Sequence, residues 1–272
     1  MTRLKEDDIS KISTMLTNYD SELIRKTGCS LREIAASAAN RNAKTIFSPR
    51  PKVAVIPMTC GEGIIPGFAE SVASILNYLS FTAFTTANCD VAGIYEAMSK
   101  GANILFTADD NQFVAINLCN GAMVSNSEAT GKGYIAGLAR MCDGLANKHV
   151  LLIGAGAVGK GAAWSLARLG ALVSIYDISL PTSQRLVNDL VREGYPAKVE
   201  TDLECALTKH CIILDASPAK DIIHSRYITG DTVIAAPGIP LGITEVSRRQ
   251  LSGRVLHDPL QIGVATMIFE VL

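Results

Sequence analysis

The chain predicts an α/β protein, with a doubly wound parallel sheet in its C-terminal part and a smaller α/β domain with a leading helix before it. Three observations carry that expectation. Between His149 and Asp177 an apolar strand, a glycine-rich turn, a helix and a second strand follow one another at the spacing of a βαβ unit. Downstream, short apolar runs alternate with helical stretches, as strands of a parallel sheet covered on both faces do. Upstream, an amphipathic helix and a further strand–helix alternation precede this unit. The expected domains are 1–145 and 146–272.

In chain order, Ile9, Ile12, Met15, Leu16, Tyr19, Leu23 and Ile24 fall on one helical face, and Gly28 stops that helix. Lys52–Thr59 reads as a buried strand, followed by a helix over Phe68–Leu79. Strands over Thr82–Thr86 and Asn103–Ala108 flank a helix over Val91–Lys100, and Glu128–Met141 is a long helix. The nucleotide-binding rhythm then begins with the strand Val150–Ile153, a helix, and the strand Leu172–Tyr176. A helix over Ser183–Glu193 follows, with strands at Ala197–Glu200, Cys211–Asp215, Thr232–Ala235 and Val255–His257. The apolar tail Gly263–Leu272 is expected to be helical and to cross back onto the first domain.

Composition excludes several classes. Among 272 residues, 48% are hydrophobic and 19% charged, enough for a large core. The net charge of −1 gives no electrostatic case for nucleic acid or an anionic membrane. No apolar run reaches the roughly 18 residues of a membrane span, and the N-terminus lacks a signal-peptide core, so a cytoplasmic location is expected. Seven cysteines without a CxxC, and four scattered histidines, point to reduced thiols and to no metal site. The oligomeric state stays open, a homodimer included.

Each part of the His149–Asp177 motif has a physical task. Gly154 permits a tight turn, Gly156 lets backbone approach a pyrophosphate, and Gly159 lets the helix sit close on the strand. Ala157 and Val158 lie between them, at the helix N-terminus that faces the phosphates. Asp177 can accept hydrogen bonds from a ribose diol and would repel a 2′-phosphate, so NAD is the expected cofactor of this Rossmann-type unit. The plainer alternative is a βαβ crossover with a glycine-rich turn. Ser217, Pro218, Pro237 and Gly238 follow strand ends and are candidates for the nicotinamide side; ordinary turn chemistry explains the same residues.

Two loops of the first domain stand out. Thr107-Ala108-Asp109-Asp110-Asn111 places two acids at a strand end, suited to a cationic amine. Thr59-Cys60-Gly61-Glu62-Gly63-Ile64-Ile65 is glycine-rich, so its N–H groups could approach a carboxylate. Both also read as turns or caps. No Tyr-x-x-x-Lys and no Cys/His cluster is present, which removes two common hydride-transfer solutions.

VAVIPMTCGEGIIPGFAES at 53–71, ADDNQFVAINLCNG at 108–121, GAGAVGKGAA at 154–163, APGIP at 236–240 and DPLQIGVATMIFEVL at 258–272 together resemble the pyrrolysine synthase family. The chain departs from that family's pattern at Cys60, where serine is usual, and at Asp258, where glutamate is usual. The resemblance implies NAD-dependent oxidation of the terminal amine in L-lysine acylated on its ε-nitrogen by 3-methyl-D-ornithine. Ammonia loss and ring closure to L-pyrrolysine would follow. It implies Asp109 as anchor of the reacting amine, Asp258 as a second catalytic carboxylate and His257 as a lesser candidate proton relay. It further implies substrate contacts from Leu4, Lys5, Thr59, Cys60, Gly63, Ile64, Asp110 and Asn117, with the leading helix as a lid. A permanently docked helix is the alternative. Two other functions stay in view: a different NAD-dependent amino-acid or methylenetetrahydrofolate-type dehydrogenase, and a non-enzymatic NAD(H) sensor, for which no DNA-binding element is evident.

Overall fold

The computed structural model describes residues 4–45 and 50–272. The chain forms two compact units. The first comprises Met1–Ile24, Cys29–Ala129 and Pro259–Leu272; the second comprises Arg25–Gly28 and Thr130–Asp258. The division falls inside a helix, between Ala129 and Thr130, whereas the sequence placed it near residue 145.

The chain opens with α1 (Glu6–Ile9), α2 (Ile12–Thr27) and α3 (Leu31–Ala38). Of the predicted apolar face, Ile9, Ile12, Leu16 and Leu23 are buried, while Met15 and Ile24 are about half exposed. The stripe is therefore narrower than the sequence suggested. Sequence reading passed over α3, although its signature is present. The Ser30 hydroxyl accepts the Glu33 N–H, and the Glu33 carboxylate accepts the Ser30 N–H. There follow β1 (Lys52–Ile56), α4 (Phe68–Tyr78), β2 (Thr82–Thr85), α5 (Asp90–Ser99) and β3 (Ile104–Ala108). Next come β4 (Phe113–Asn117), β5 (Met123–Ser125) and α6 (Asn126–Met141). The sheet order is β2-β1-β3-β4-β5, with β1, β2 and β3 parallel and β4 and β5 antiparallel additions. Neither β4 nor β5 was expected, because the Asp-Asp-Asn turn hid the hairpin that starts there.

The second unit runs β6 (His149–Ile153), α7 (Ala157–Arg168), β7 (Leu172–Tyr176), α8 (Leu180–Arg192), β8 (Ala197–Val199) and α9 (Leu203–Lys209). It continues with β9 (Ile212–Asp215), β10 (Val233–Ala235), α10 (Glu245–Leu251) and β11 (Val255–Leu256). All six strands are parallel, in the order β11-β10-β9-β6-β7-β8. Counted from β6, this is the doubly wound order 3-2-1-4-5-6 read from the other end. Leu151, Ile153, Ile213, Ile234 and Val255 on the strands pack with Leu207, Ile223 and Leu251 into one core, each side chain contributing about 1.5–3 kcal/mol through burial.

The last helix, α11 (Gln261–Val271), is buried along nearly its whole length and belongs to the first unit. Phe269 packs edge-on to Phe81, with centroids 5.9 Å apart, and the Arg32 guanidinium lies over the Phe269 ring, 5.2 Å from its centre.

Candidate active site

In the second unit the glycines of the first βα turn are required by space. Gly154 has φ +91°, and a Cβ there would stand 3.0 Å from Ala216 and Ser217 backbone. A Cβ on Gly159 would stand 1.9 Å from the Gly154 carbonyl oxygen, which is impossible without moving backbone. Gly156 differs: nothing lies within 4 Å of its would-be Cβ. It caps α7 without a side chain, and its carbonyl accepts the Lys160 N–H at 2.8 Å. The amides of Ala157, Val158 and Gly159 thus begin a 12-residue helix at an open surface, a ready anion site. The residues present fit a dinucleotide pyrophosphate.

Asp177 follows β7 and reaches back to the turn. Its Oδ2 accepts the Ala155 N–H at 2.7 Å and its Oδ1 the Ser179 N–H at 2.8 Å. Each oxygen keeps a further lone pair for a ribose hydroxyl. Ser217 and Gly238, predicted from separate strand ends, are brought together: a Cβ on Gly238 would lie 2.1 Å from the Ser217 carbonyl oxygen. Pro218 and Pro237 adjoin them, and the Ile239–Pro240 peptide is cis. The residue that joins these loops, Asp215, was not anticipated. Its carbonyl accepts the Gly238 N–H, and its Oδ1 accepts both the Ser217 N–H and hydroxyl.

His257 and Asp258 follow β11. The His257 Nδ1 meets the Ala236 carbonyl at 2.6 Å, which occupies that nitrogen. Asp258 is buried, and its backbone is clamped at both ends by one side chain. The Tyr134 hydroxyl accepts the Asp258 N–H and donates to the Asp258 carbonyl, each at 2.7 Å. Burial, and then the Asp258 charge, hold the Tyr134 phenol well above its ordinary pKa, so it keeps its proton.

In the first unit three strand-end loops meet at the carboxyl edge of β1, β2 and β3. Asp110 after β3 closes on the loop after β1: its Oδ2 accepts the Glu62 N–H at 2.6 Å. Gly61, at φ +68°, is obligatory there, since a Cβ would stand 1.8 Å from that oxygen. Asp90, at the start of α5, holds Thr59 through its N–H at 2.8 Å and its hydroxyl at 2.5 Å, and these bonds lower the Asp90 pKa. Glu96 holds the loop before α5. It accepts N–H bonds from Ala87 and Asn88 and pairs with Lys100 at 2.7 Å; together they push its carboxyl down to about 2. Sequence reading missed Asp90 and Glu96, which stand at the first position and in the second turn of α5.

Asp109 is exposed at the β3–β4 turn. Its Oδ1 accepts the Asn111 and Gln112 N–H groups, which lower its pKa, so the carboxylate is charged near neutrality. Among the described residues Oδ2 has no hydrogen-bond partner. The turn role and a role toward an ammonium are therefore compatible in one side chain. On the loop after β1, Cys60 and Ile64 are exposed and Gly63 takes φ +83°.

Asn117 is not brought to this edge. Antiparallel pairing sets it opposite Ile104, at the far end of β4. Its side chain there donates to the Val271 carbonyl and accepts the Cys119 N–H. It ties β4 to α11. Leu4 and Lys5 precede α1, with the Lys5 N–H bonded to Asp8. The leading helices are docked in this structure: Ile9 accepts from Ser71 in the first turn of α4, and Asp20 joins the Leu31 N–H to the Tyr78 hydroxyl.

All seven cysteines are free, and the described residues contain no group of three or more metal-ligating side chains. No described helix is long and apolar enough to cross a membrane.

Residues 8–124 match the family described as pyrrolysine biosynthesis protein PylD, N-terminal domain, and residues 117–240 match the alanine dehydrogenase/PNT C-terminal domain. The chain is 33% identical over 275 residues to the pyrrolysine synthase of Methanosarcina acetivorans, covering 100% of both chains. It is 33% identical over 273 residues to that of Methanosarcina barkeri, covering 100% of this chain and 98% of the relative. Among solved structures, quinate dehydrogenase from Corynebacterium glutamicum in complex with NAD is similar at TM-score 0.56 and 15% identity, over 82% of this chain and 93% of that one. Shikimate dehydrogenase from Aquifex aeolicus is similar at TM-score 0.54 and 15% identity, over 83% and 94%. These last two show the fold: a Rossmann-type dehydrogenase architecture.

Proposed function

This chain belongs to the pyrrolysine synthase family, and from that premise we propose that it is an NAD-dependent amine dehydrogenase that makes L-pyrrolysine. The substrate is L-lysine acylated on its ε-nitrogen by 3-methyl-D-ornithine. NAD⁺, when bound, supplies the acceptor for the hydride leaving the carbon that bears the terminal ornithine amine. Water then replaces ammonia at that carbon, and the ornithine α-amine closes the ring with return of the water. Closure needs proximity more than a dedicated catalyst, because both groups belong to one molecule.

The observation that carries this reading is the full-length match to two proteins of that name. The site chemistry supports it. The open amides of Ala157, Val158 and Gly159 would hold the pyrophosphate, and Asp177 the ribose diol. Ser217 and Gly238 would flank the nicotinamide. Asp109, ionised and with one oxygen unpartnered, would bind the substrate's terminal ammonium and orient the neutral amine once a proton has left. Asp258 is the second carboxylate assigned to the substrate. Thr59, Cys60, Gly63, Ile64 and Asp110 line the loops that Asp90 and Asp110 hold in place, and Leu4 and Lys5 lead into the docked helix.

Incubation of the protein with NAD⁺ and the isopeptide tests the proposal. Mass spectrometry should find a product lighter by one ammonia and two hydrogens, with NADH formed in equal amount. NADH formation with alanine or a folate substrate, and none with the isopeptide, would sink it.

A further inference from the structure

Asp215 ends β9, paired with Ile153 of β6. The strand order turns back between these two strands, because the chain winds outward from β6 through β7 and β8 and then returns to β9. Such a reversal is where open α/β sheets bind ligands, beyond the strand carboxyl ends. The Asp215 side chain is fully buried there. Its Oδ1 takes both bonds from Ser217, at 3.1 and 2.7 Å, while Oδ2 has no hydrogen-bond partner among the described residues.

The chain is built around that lone oxygen. A Cβ on Gly242 would stand 2.0 Å from Oδ2, so only glycine leaves it room. Among the described residues no cation contributes to its environment. The titratable groups at the same strand edge are Tyr176, Asp177 (engaged with Ala155 and Ser179), His257 (engaged with the Ala236 carbonyl) and the buried Asp258. Lys220 and Asp221, just past the Ser217 loop, lie 3.9 Å apart and exposed. Burial raises the Asp215 carboxyl to about 6, with the Ser217 bonds pulling the other way. Near neutral pH the group is therefore mostly ionised and lacks a counter-ion.

The oxidised nicotinamide ring is a cation and the reduced ring is neutral. We propose that Asp215 is a specificity-determining residue for the cofactor's oxidation state. Its buried carboxylate, beneath the loops of Ser217 and Gly238, favours NAD⁺ over NADH. The inference rests on the NAD reading given above and deepens it: the charge that draws in the oxidised cofactor also hastens departure of the reduced one. Linkage adds a second consequence, because a cation that is stabilised by the Asp215 anion must in turn promote proton loss from Asp215.

Calorimetric titration of the wild-type protein and of Asp215→Asn with NAD⁺ and with NADH tests this. The amide preserves shape and the Oδ1 acceptor. The preference for NAD⁺ over NADH should shift about tenfold toward NADH in the variant, the scale of one unscreened charge at several ångströms. At pH 6 the wild-type protein should release protons on binding NAD⁺ but not NADH, read from heats in buffers of different ionisation enthalpy. An unchanged preference in a folded variant, or no proton release by wild type, would overturn the inference. If the variant fails to fold, the wild-type proton count decides alone. Binding of neither cofactor by wild type would overturn the NAD reading and the inference with it.

Discussion

The two units use opposite means to shape a strand edge. In the first, carboxylates hold the loops: Asp110 takes the Glu62 N–H, Asp90 takes Thr59, Glu96 takes Ala87 and Asn88, and Asp109 takes its own turn. In the second, the close approaches are made mainly by absence of side chain, at Gly154, Gly159, Gly238 and Gly242, with Asp177 and Asp215 holding the turns beside them. The first edge therefore carries negative charge and the second presents amide donors. A cationic amine suits the former and a pyrophosphate the latter. Strand–helix alternation thus leaves edges of different electrostatic character in the two units.

The contrast can be broken most severely at Gly159. Gly159→Ala forces a methyl into the Gly154 carbonyl, and cofactor binding should fall by more than about 10²-fold, with a stability loss of order 1–3 kcal/mol. Calorimetric titration and thermal melting read both. Near-normal NAD binding would mean the turn relaxes freely.

Asp215 belongs to the glycine-shaped edge yet is an acid, so it sharpens the comparison through pH. Its folded pKa of about 6 lies above the ordinary 3.8 of an unfolded aspartate. The folded state thus binds more protons between these values, and this group's contribution to stability falls as pH rises through that window, then levels off. The full change is about 3 kcal/mol. The lowered carboxylates Asp90 and Asp109 act oppositely, losing their contribution as pH drops below about 4. Denaturant titrations of wild type and Asp215→Asn at several pH values isolate the Asp215 part. Parallel stability curves from pH 4 to 7 would count against it.

On the acid-shaped edge, Asp109→Asn keeps the Oδ1 acceptor for the turn and removes only the charge. Catalytic efficiency should fall by about 10²-fold, with NAD affinity unchanged. Steady-state kinetics with the isopeptide would return Asp109 to a turn residue alone if turnover stayed near normal.

The smallest effect is expected at Asp177, whose oxygens already serve two backbone amides. NAD should be preferred over NADP by about tenfold. Equal turnover with both would refute that choice.

What could be read from sequence divides along the same line. The parallel strands were legible because each is an apolar run closed by a turn residue, as at Val150–Ile153 and Leu172–Tyr176. The fingerprint glycines were legible because their spacing is local. The β4–β5 hairpin was not, since Phe113–Asn117 buries alternate residues on a hidden partner strand and its entry resembles a ligand loop. Tyr134 and Asp90 escaped notice because their partners lie 124 and 31 residues away, whereas Glu96 and Asp215 bond near neighbours and are distinguished only by the loops they hold. Nothing in an isolated Asp or Tyr announces such a bond.

The placement of α11 has a consequence for how the chain matures. Phe269, Ile268 and Val271 are fully enclosed, and the elements that pack on them include α3 and α4, which begin at Leu31 and Phe68. In a growing chain Gln261–Val271 is made after every other element of the first unit. Until then that unit lacks the helix that covers Phe81. The apolar surface left open makes the incomplete first unit a species in need of protection from aggregation.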